Sequence, residues 1–248
     1  MDATTLVAAC AAVVLGAALQ RVAGMGLGMV AAPVLTVLLG PAAGVLTSNG
    51  AAIVTALLVL GALHARVDWG RVAALTPLVL LGSVLGALTV RAASAAWLDV
   101  LVGGSVLLAL AATLALRRRV RVEGRPASLV TGLAAGFMNT TCGVAAPAWT
   151  AYALATRWEH RSFAATLQPL LLVANVTSLA TKLLLGAVPP ADIPAWWTWP
   201  VLAVAVVGGV ALGSVLARVV PTRVAAALAV TVAVAGATTA LVRGVMTF

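Results

Sequence analysis

SLVTGLAAGFMN, residues 128–139, decides how this chain can be folded. The segment is mostly apolar and ends on polar Asn139, with Thr140 and Thr141 directly after it. Helix up to Asn139 would reach only ~18 Å at 1.5 Å per residue, too short for a hydrocarbon layer of ~30 Å. The sequence therefore predicts a break at Asn139 and a re-entrant hairpin, which enters a bilayer and leaves by the same face.

Composition implies the bilayer. Hydrophobic residues make up 63% of the 248 positions, charged residues 8%, and the mean hydropathy is +1.15, far outside the range of a soluble domain. Apolar stretches near 5–20, 26–40, 44–63, 72–90, 98–116, 128–156, 163–186, 198–217 and 224–242 mostly approach the ~20 residues of a spanning helix. None shows the alternation of a membrane β-barrel, so the fold class is an all-α polytopic membrane protein. The start, MDATTL, has an acid and no basic stretch, which predicts that the first helix is retained rather than cleaved as a signal. A net charge of +9 could suggest nucleic acid, but the arginines stand at helix ends, where they set membrane orientation. Cys10 and Cys142 lie in apolar segments without metal-ligand spacing, and His64 and His160 stand near loops. No triad, P-loop or metal cluster is present, and the glycines at 24–28 follow no strand, so neither an enzyme nor a cofactor is expected.

The chain repeats itself. VAAP occurs at 30–33 and 144–147, and GSVLGALTVR (82–91) and GVALGSVLAR (209–218) share the form G-x-x-x-G-x-x-x-x-R. Each is followed by one more apolar segment. The sequence thus divides into a first transmembrane repeat at 1–116, a basic linker at 117–127 containing RRRVRVEGRP, and a second repeat at 128–248. The Pro-rich AVPPADIPAWWTWP at 187–200 accounts for the unequal offsets. With a broken hairpin plus three transmembrane helices per half, the odd number of crossings inverts the second repeat relative to the first. This arrangement places Arg66, Arg71, Arg117, Arg118, Arg119, Arg121, Arg125, Arg157, Arg161, Arg218 and Arg223 on one face, which is cytoplasmic by the positive-inside rule. Arg91 and Arg243 lie opposite, and both termini are external. Single crossings in place of the hairpins would reduce the bias to eight against five. Trp196 to Trp199 then fall at the outer headgroup level.

The first hairpin is QRVAGMGLGMVAAP, residues 20–33. Gly24, Gly26 and Gly28 each cost a helix ~1 kcal/mol relative to alanine, so they unwind the chain or admit a second backbone. The second hairpin, GFMNTTCGVAAP, sets Asn139, Thr140, Thr141, Cys142 and Gly143 in that place. A helix that restarts after such a break aims its positive dipole end into the gap and favours an anion. A kinked helix packed through small residues, without ligand, is the plainer reading. All six carboxylates (Asp2, Asp68, Asp99, Glu123, Glu159 and Asp192) fall in expected loops or termini, leaving no acidic partner for a cation at depth. Arg21 and Lys182 sit within or beside apolar segments, and the missing partner is an anionic substrate. Lys182 can equally snorkel from a helix end. Polar Thr47, Ser48, Asn175, Thr177 and Ser178 more simply tie helices together, whereas Asn49 and Gln168, each placed after a hairpin, are expected to line the path.

LQRVAGMGLGMVAAPVLTVLLG, GLAAGFMNTTCGVAAPAWTAYAL and RSFAATLQPLLLVANV together resemble the TauE/SafE family of membrane permeases over nearly the whole chain. The resemblance implies transport of small sulfur-containing anions, such as sulfite, sulfonates or thio-carboxylates, across the cytoplasmic membrane, often outward. Asn139, Thr140 and Thr141 depart from the glycine-rich form of the second hairpin. The expected partners are a small anion and the lipid bilayer, with a homo-oligomer left open. A passive anion channel and a non-transporting partner subunit are the alternatives to a carrier.

Overall fold

The computed structural model describes residues 2–23, 27–116 and 125–247. Among them are ten α-helices and no strand. The first half contains α1 (Ala3–Ala23), α2 (Leu27–Leu39), α3 (Pro41–Leu63), α4 (Trp69–Ala92) and α5 (Ala95–Leu116). The second contains α6 (Arg125–Cys142), α7 (Ala146–Ala155), α8 (His160–Leu184), α9 (Thr198–Leu216) and α10 (Thr222–Met246). Six of the described helices (α1, α3, α4, α8, α9 and α10) are long and apolar enough to cross a membrane. The chain is an integral membrane protein. In contrast, α2 and α7, of 13 and 10 residues, extend only ~20 and ~15 Å.

Local chemistry sets the helix ends. Asp68 caps α4 by accepting from Arg71 N at 3.0 Å, and Glu159 caps α8 by accepting from Arg161 N and Ser162 N at 2.9 and 2.6 Å. Gly40, at φ +84°, turns α2 into α3 with Pro41 opening the new helix. The second hairpin does not break at Asn139. Its first arm continues as helix to Cys142 and stops at Gly143, the residue at φ +71°, whose N–H donates to Asn139 O at 3.0 Å. The polar residues are absorbed because the Thr141 hydroxyl donates back to Phe137 O at 2.9 Å, removing the reason for a break. Each hairpin therefore pairs a long first arm with a short second one.

The repeated glycine motif explains how the halves engage. A side chain at Gly209 would strike Val14 O at 2.6 Å and one at Gly213 would strike Ala18 O at 2.6 Å, so α9 runs parallel to α1. Gly82 and Gly86 likewise receive Leu133 and Thr140, so α4 runs parallel to α6. The motif of each half thus holds the long hairpin arm of the other, with backbones close enough that only glycine fits. Helix α5 pairs antiparallel with α10, Gly103 meeting Ala237 and Gly244 meeting Ala96. On α10, Ala225, Ala229, Ala233, Ala237 and Ala240 form one buried face. Successive helices alternate in direction, which gathers Arg21, Arg66, Arg71, Arg157, Arg161, Arg218 and Arg223 at one end of the bundle and Arg91 and Arg243 at the other.

One carboxylate is not where the sequence placed it. Asp99 lies inside α5, 4% exposed, and takes both a 2.7 Å bond from Arg243 Nε and a 2.7 Å bond from Arg243 Nη2. This bidentate pair neutralises the acid, and the same guanidinium donates to Thr36 O and Val37 O in the last turn of α2.

Candidate functional site

The start of α2 and the turn after α6 meet inside the bundle. A side chain at Gly28 would lie 2.5 Å from Gly143 O, and one at Gly143 would lie 2.7 Å from Ala32 Cβ, so the first turn of α2 packs directly on the Gly143 backbone. Beside this contact is a cavity of about 30 Å³ lined by Gln20, Gly28, Met29, Ala52, Asn139, Gly143, Val144, Ala145, Ala146, Leu171 and Asn175. Both short helices start there. Leu27–Met29 opens α2 and Ala145–Ala146 opens α7, so two positive helix ends converge on one cavity.

Side-chain amides frame the cavity in matched positions. Gln20 is the fourth residue from the end of α1, and Asn139 is the fourth from the end of α6. Gln168 is the ninth residue of α8, and Asn49 is the ninth of α3. Gln20 Nε2 donates to Gln168 Oε1 at 3.4 Å, and Asn49 Nδ2 donates to Asn139 O, also at 3.4 Å. Each half thus supplies one member of each pair. Gln20 Oε1 also accepts from Leu27 N at 3.3 Å, holding the first amide of α2. On the other side Asn139 Nδ2 donates to Asn175 Oδ1 at 3.0 Å, and Asn49 Nδ2 reaches Ser178 Oγ at 2.5 Å. All six polar residues are buried, and Asn49 Oδ1 has no hydrogen-bond partner. Three amides, Gln20, Asn139 and Asn175, face a cavity otherwise walled by glycine and apolar side chains, with no carboxylate in its lining.

A family model described as Sulfite exporter TauE/SafE matches residues 8–239, from within α1 to within α10. This chain belongs to the TauE/SafE family. Membership implies a membrane transporter of sulfur anions, a family of transporters rather than enzymes. No curated protein and no solved structure matches the chain. The matched span of this TauE/SafE protein includes both hairpins and all four framing amides.

The site residues expected from sequence divide into three groups. Gly28, Asn139 and Gly143 line the cavity, while Asn49 and Gln168 join it through Asn139 and Gln20. Gly24 and Gly26 lie outside the described residues. The others face elsewhere. Thr140 packs against Gly86 of α4 with its hydroxyl buried and unpartnered, and the Thr141 hydroxyl bonds its own helix. Cys142 Sγ lies 2.7 Å from Ser105 Oγ on α5. Arg21 is exposed and donates to Ser214 Oγ of α9 at 3.1 Å. Lys182 is fully buried, so it does not snorkel to water. Sequence reasoning passed over Gln20 and undervalued Asn175. The available signal was positional: Gln20 precedes the glycine turn as Asn139 precedes Gly143.

Proposed function

We propose that this protein is a carrier that moves small sulfur oxyanions of the sulfite, sulfonate or thio-carboxylate type by alternating access. The anion binds in the cavity between the hairpins. The observation that carries this reading is the convergence of the α2 and α7 N-termini on one cavity framed by amides from both halves. Backbone N–H groups at helix starts and uncharged amides suit an oxyanion that must also leave again, since they supply donors without a fixed charge. Two inverted halves are supported by the exchanged packing of α1 on α9 and α6 on α4. Rocking of one half against the other would then open the cavity to each end in turn. The arginine-rich end faces the cytoplasm by the positive-inside rule, leaving both termini external in the inner membrane. With no carboxylate lining the cavity, an Asp/Glu proton relay has no member there.

Purified protein in liposomes tests this with a panel of sulfite, thiosulfate, short sulfonates and matched carboxylates. A carrier shows saturable uptake and counterflow for the sulfur anions. Flux that stays linear with concentration and shows no counterflow favours a channel. No flux for any anion favours a partner subunit.

A further inference from the structure

The cavity accounts for the upper part of a longer buried polar stripe. On α8, Gln168, Leu171, Asn175, Ser178 and Lys182 recur at spacings of three and four, which places them on one helix face. Gln168, Asn175, Ser178 and Lys182 are each buried, and from Gln168 to Lys182 the stripe extends ~21 Å along the axis. It starts at the Gln20 pair, passes the cavity at Asn175, meets Asn49 at Ser178 and ends on the Lys182 amine.

Lys182 is 0% exposed and its Nζ has no hydrogen-bond partner. Among the described residues no carboxylate hydrogen-bonds its Nζ. Just beyond it the chain turns at Gly186, φ +61°, where Ala187 N donates to Lys182 O at 2.9 Å. Ala187 forms part of the wall of an open cleft of about 420 Å³ that includes Gly40, Pro41, Arg91 and Gly186, at the arginine-poor end. Lys182 is the only lysine of the chain, and along α8 it falls between Asn175 of the cavity and Gly186 and Ala187 of that cleft. A buried amine without a counter-ion is unfavourable in its charged form until an anion arrives, and a passing oxyanion is the partner the site lacks.

We propose that Lys182 is a second anion-binding station, between the hairpin cavity and the cleft at the arginine-poor end, and that a small oxyanion passes it on the way between them. This rests on the carrier reading above. The anion would be held at the cavity by neutral donors and at Lys182 by charge, so neutral analogues would stall there.

Sulfite flux and melting temperature of the reconstituted or detergent-purified full chain are measured for the parent, Lys182→Met and Lys182→Arg. The parent should transport sulfite, and sulfite should raise its melting temperature. In Lys182→Met the half-saturating sulfite concentration should rise about 30-fold or more, the scale for removing one member of a buried charge pair. The anion-free variant should melt no lower than the parent, because a buried amine without a hydrogen-bond partner has been replaced by an apolar chain of similar length. Lys182→Arg should recover much of the flux. If Lys182→Met does not give a monodisperse protein, Lys182→Gln is held to the same thresholds. A parent that transports sulfite alongside a variant with flux and half-saturation within twofold overturns the station and leaves the carrier intact. A parent that moves no anion overturns both.

Discussion

The two hairpins do the same geometric job with unrelated chemistry. In the first, the break before α2 is held by a side chain, Gln20, whose oxygen takes the Leu27 N–H. In the second, the break after α6 is a glycine cap, Gly143 in the left-handed region with its N–H on Asn139 O. The far ends differ as well. The last turn of α2 is tied by the Asp99–Arg243 pair through Thr36 O and Val37 O. The end of α7 instead closes on itself, Trp158 N reaching Ala153 O at 2.9 Å and Arg157 N reaching Leu154 O, with Arg157 at φ +50°. Trp158 then stacks edge-on with Tyr152 and Phe163 beneath the Arg71 guanidinium, 4.2 Å away. What the halves share is where backbones must touch, at Gly28, Gly143 and the glycines of α4 and α9. Everything that merely anchors has been free to diverge.

The largest effects should therefore come where the hairpins touch. Gly143→Ala adds a left-handed residue at ~1–2 kcal/mol and an overlap with Ala32 at ~1–3 kcal/mol, a combined loss of ~2–5 kcal/mol. Gly28→Ala lacks the conformational part, since α2 is helical there, and should lose only the overlap with Gly143 O. Thermal unfolding in detergent should rank Gly143→Ala as the more damaging, with sulfite flux abolished in both. A neutral Gly28→Ala would mean that the start of α2 does not pack on Gly143.

This division between touching and anchoring also marks what could be read from sequence. Glycines and apolar runs record close approach and length directly, so the helical membrane fold was legible from composition and the apolar stretches. The end of α6 was misplaced because Asn139 and Thr141 look like helix breakers in a list of residues, yet their polar groups are satisfied within the helix and on α8. Asp99 was assigned to a loop because its partner Arg243 is 144 residues away, a distance that no local pattern spans. Gln20 and Asn175 were undervalued for the same reason: an amide in an apolar helix gains meaning only from what it faces.

The anchors sharpen the comparison at intermediate size. Asp99→Asn removes the charge beneath Arg243, which keeps its bonds to α2 and stays partly exposed, so the expected loss is ~1–2 kcal/mol. Arg157→Gly relieves a left-handed arginine at the end of α7 and should raise stability by about 0.5–1 kcal/mol. Opposite signs in denaturant or thermal scans are expected from these two changes, each at the far end of a short arm. If Asp99→Asn is neutral, the ion pair does not hold the first hairpin.

Amides deserve the finest measurement, because Gln20 and Arg21 are neighbours with different surroundings. Gln20 faces the cavity and bonds Leu27 N and Gln168, whereas Arg21 on α1 is exposed with one bond to Ser214 of α9. A buried side-chain hydrogen bond between membrane helices contributes ~0.6 kcal/mol on average and ~1.7 at most, so Gln20→Leu should lose ~1–2 kcal/mol and weaken sulfite uptake. Arg21→Ala should change stability by less than ~0.5 kcal/mol, as expected for an exposed contact, and leave sulfite half-saturation within about twofold. The cavity reading requires the larger effect at position 20. Should Arg21→Ala instead abolish uptake while Gln20→Leu transports normally, the anion is recognised by charge at the arginine-rich mouth, and the convergence of helix ends between the hairpins serves packing alone.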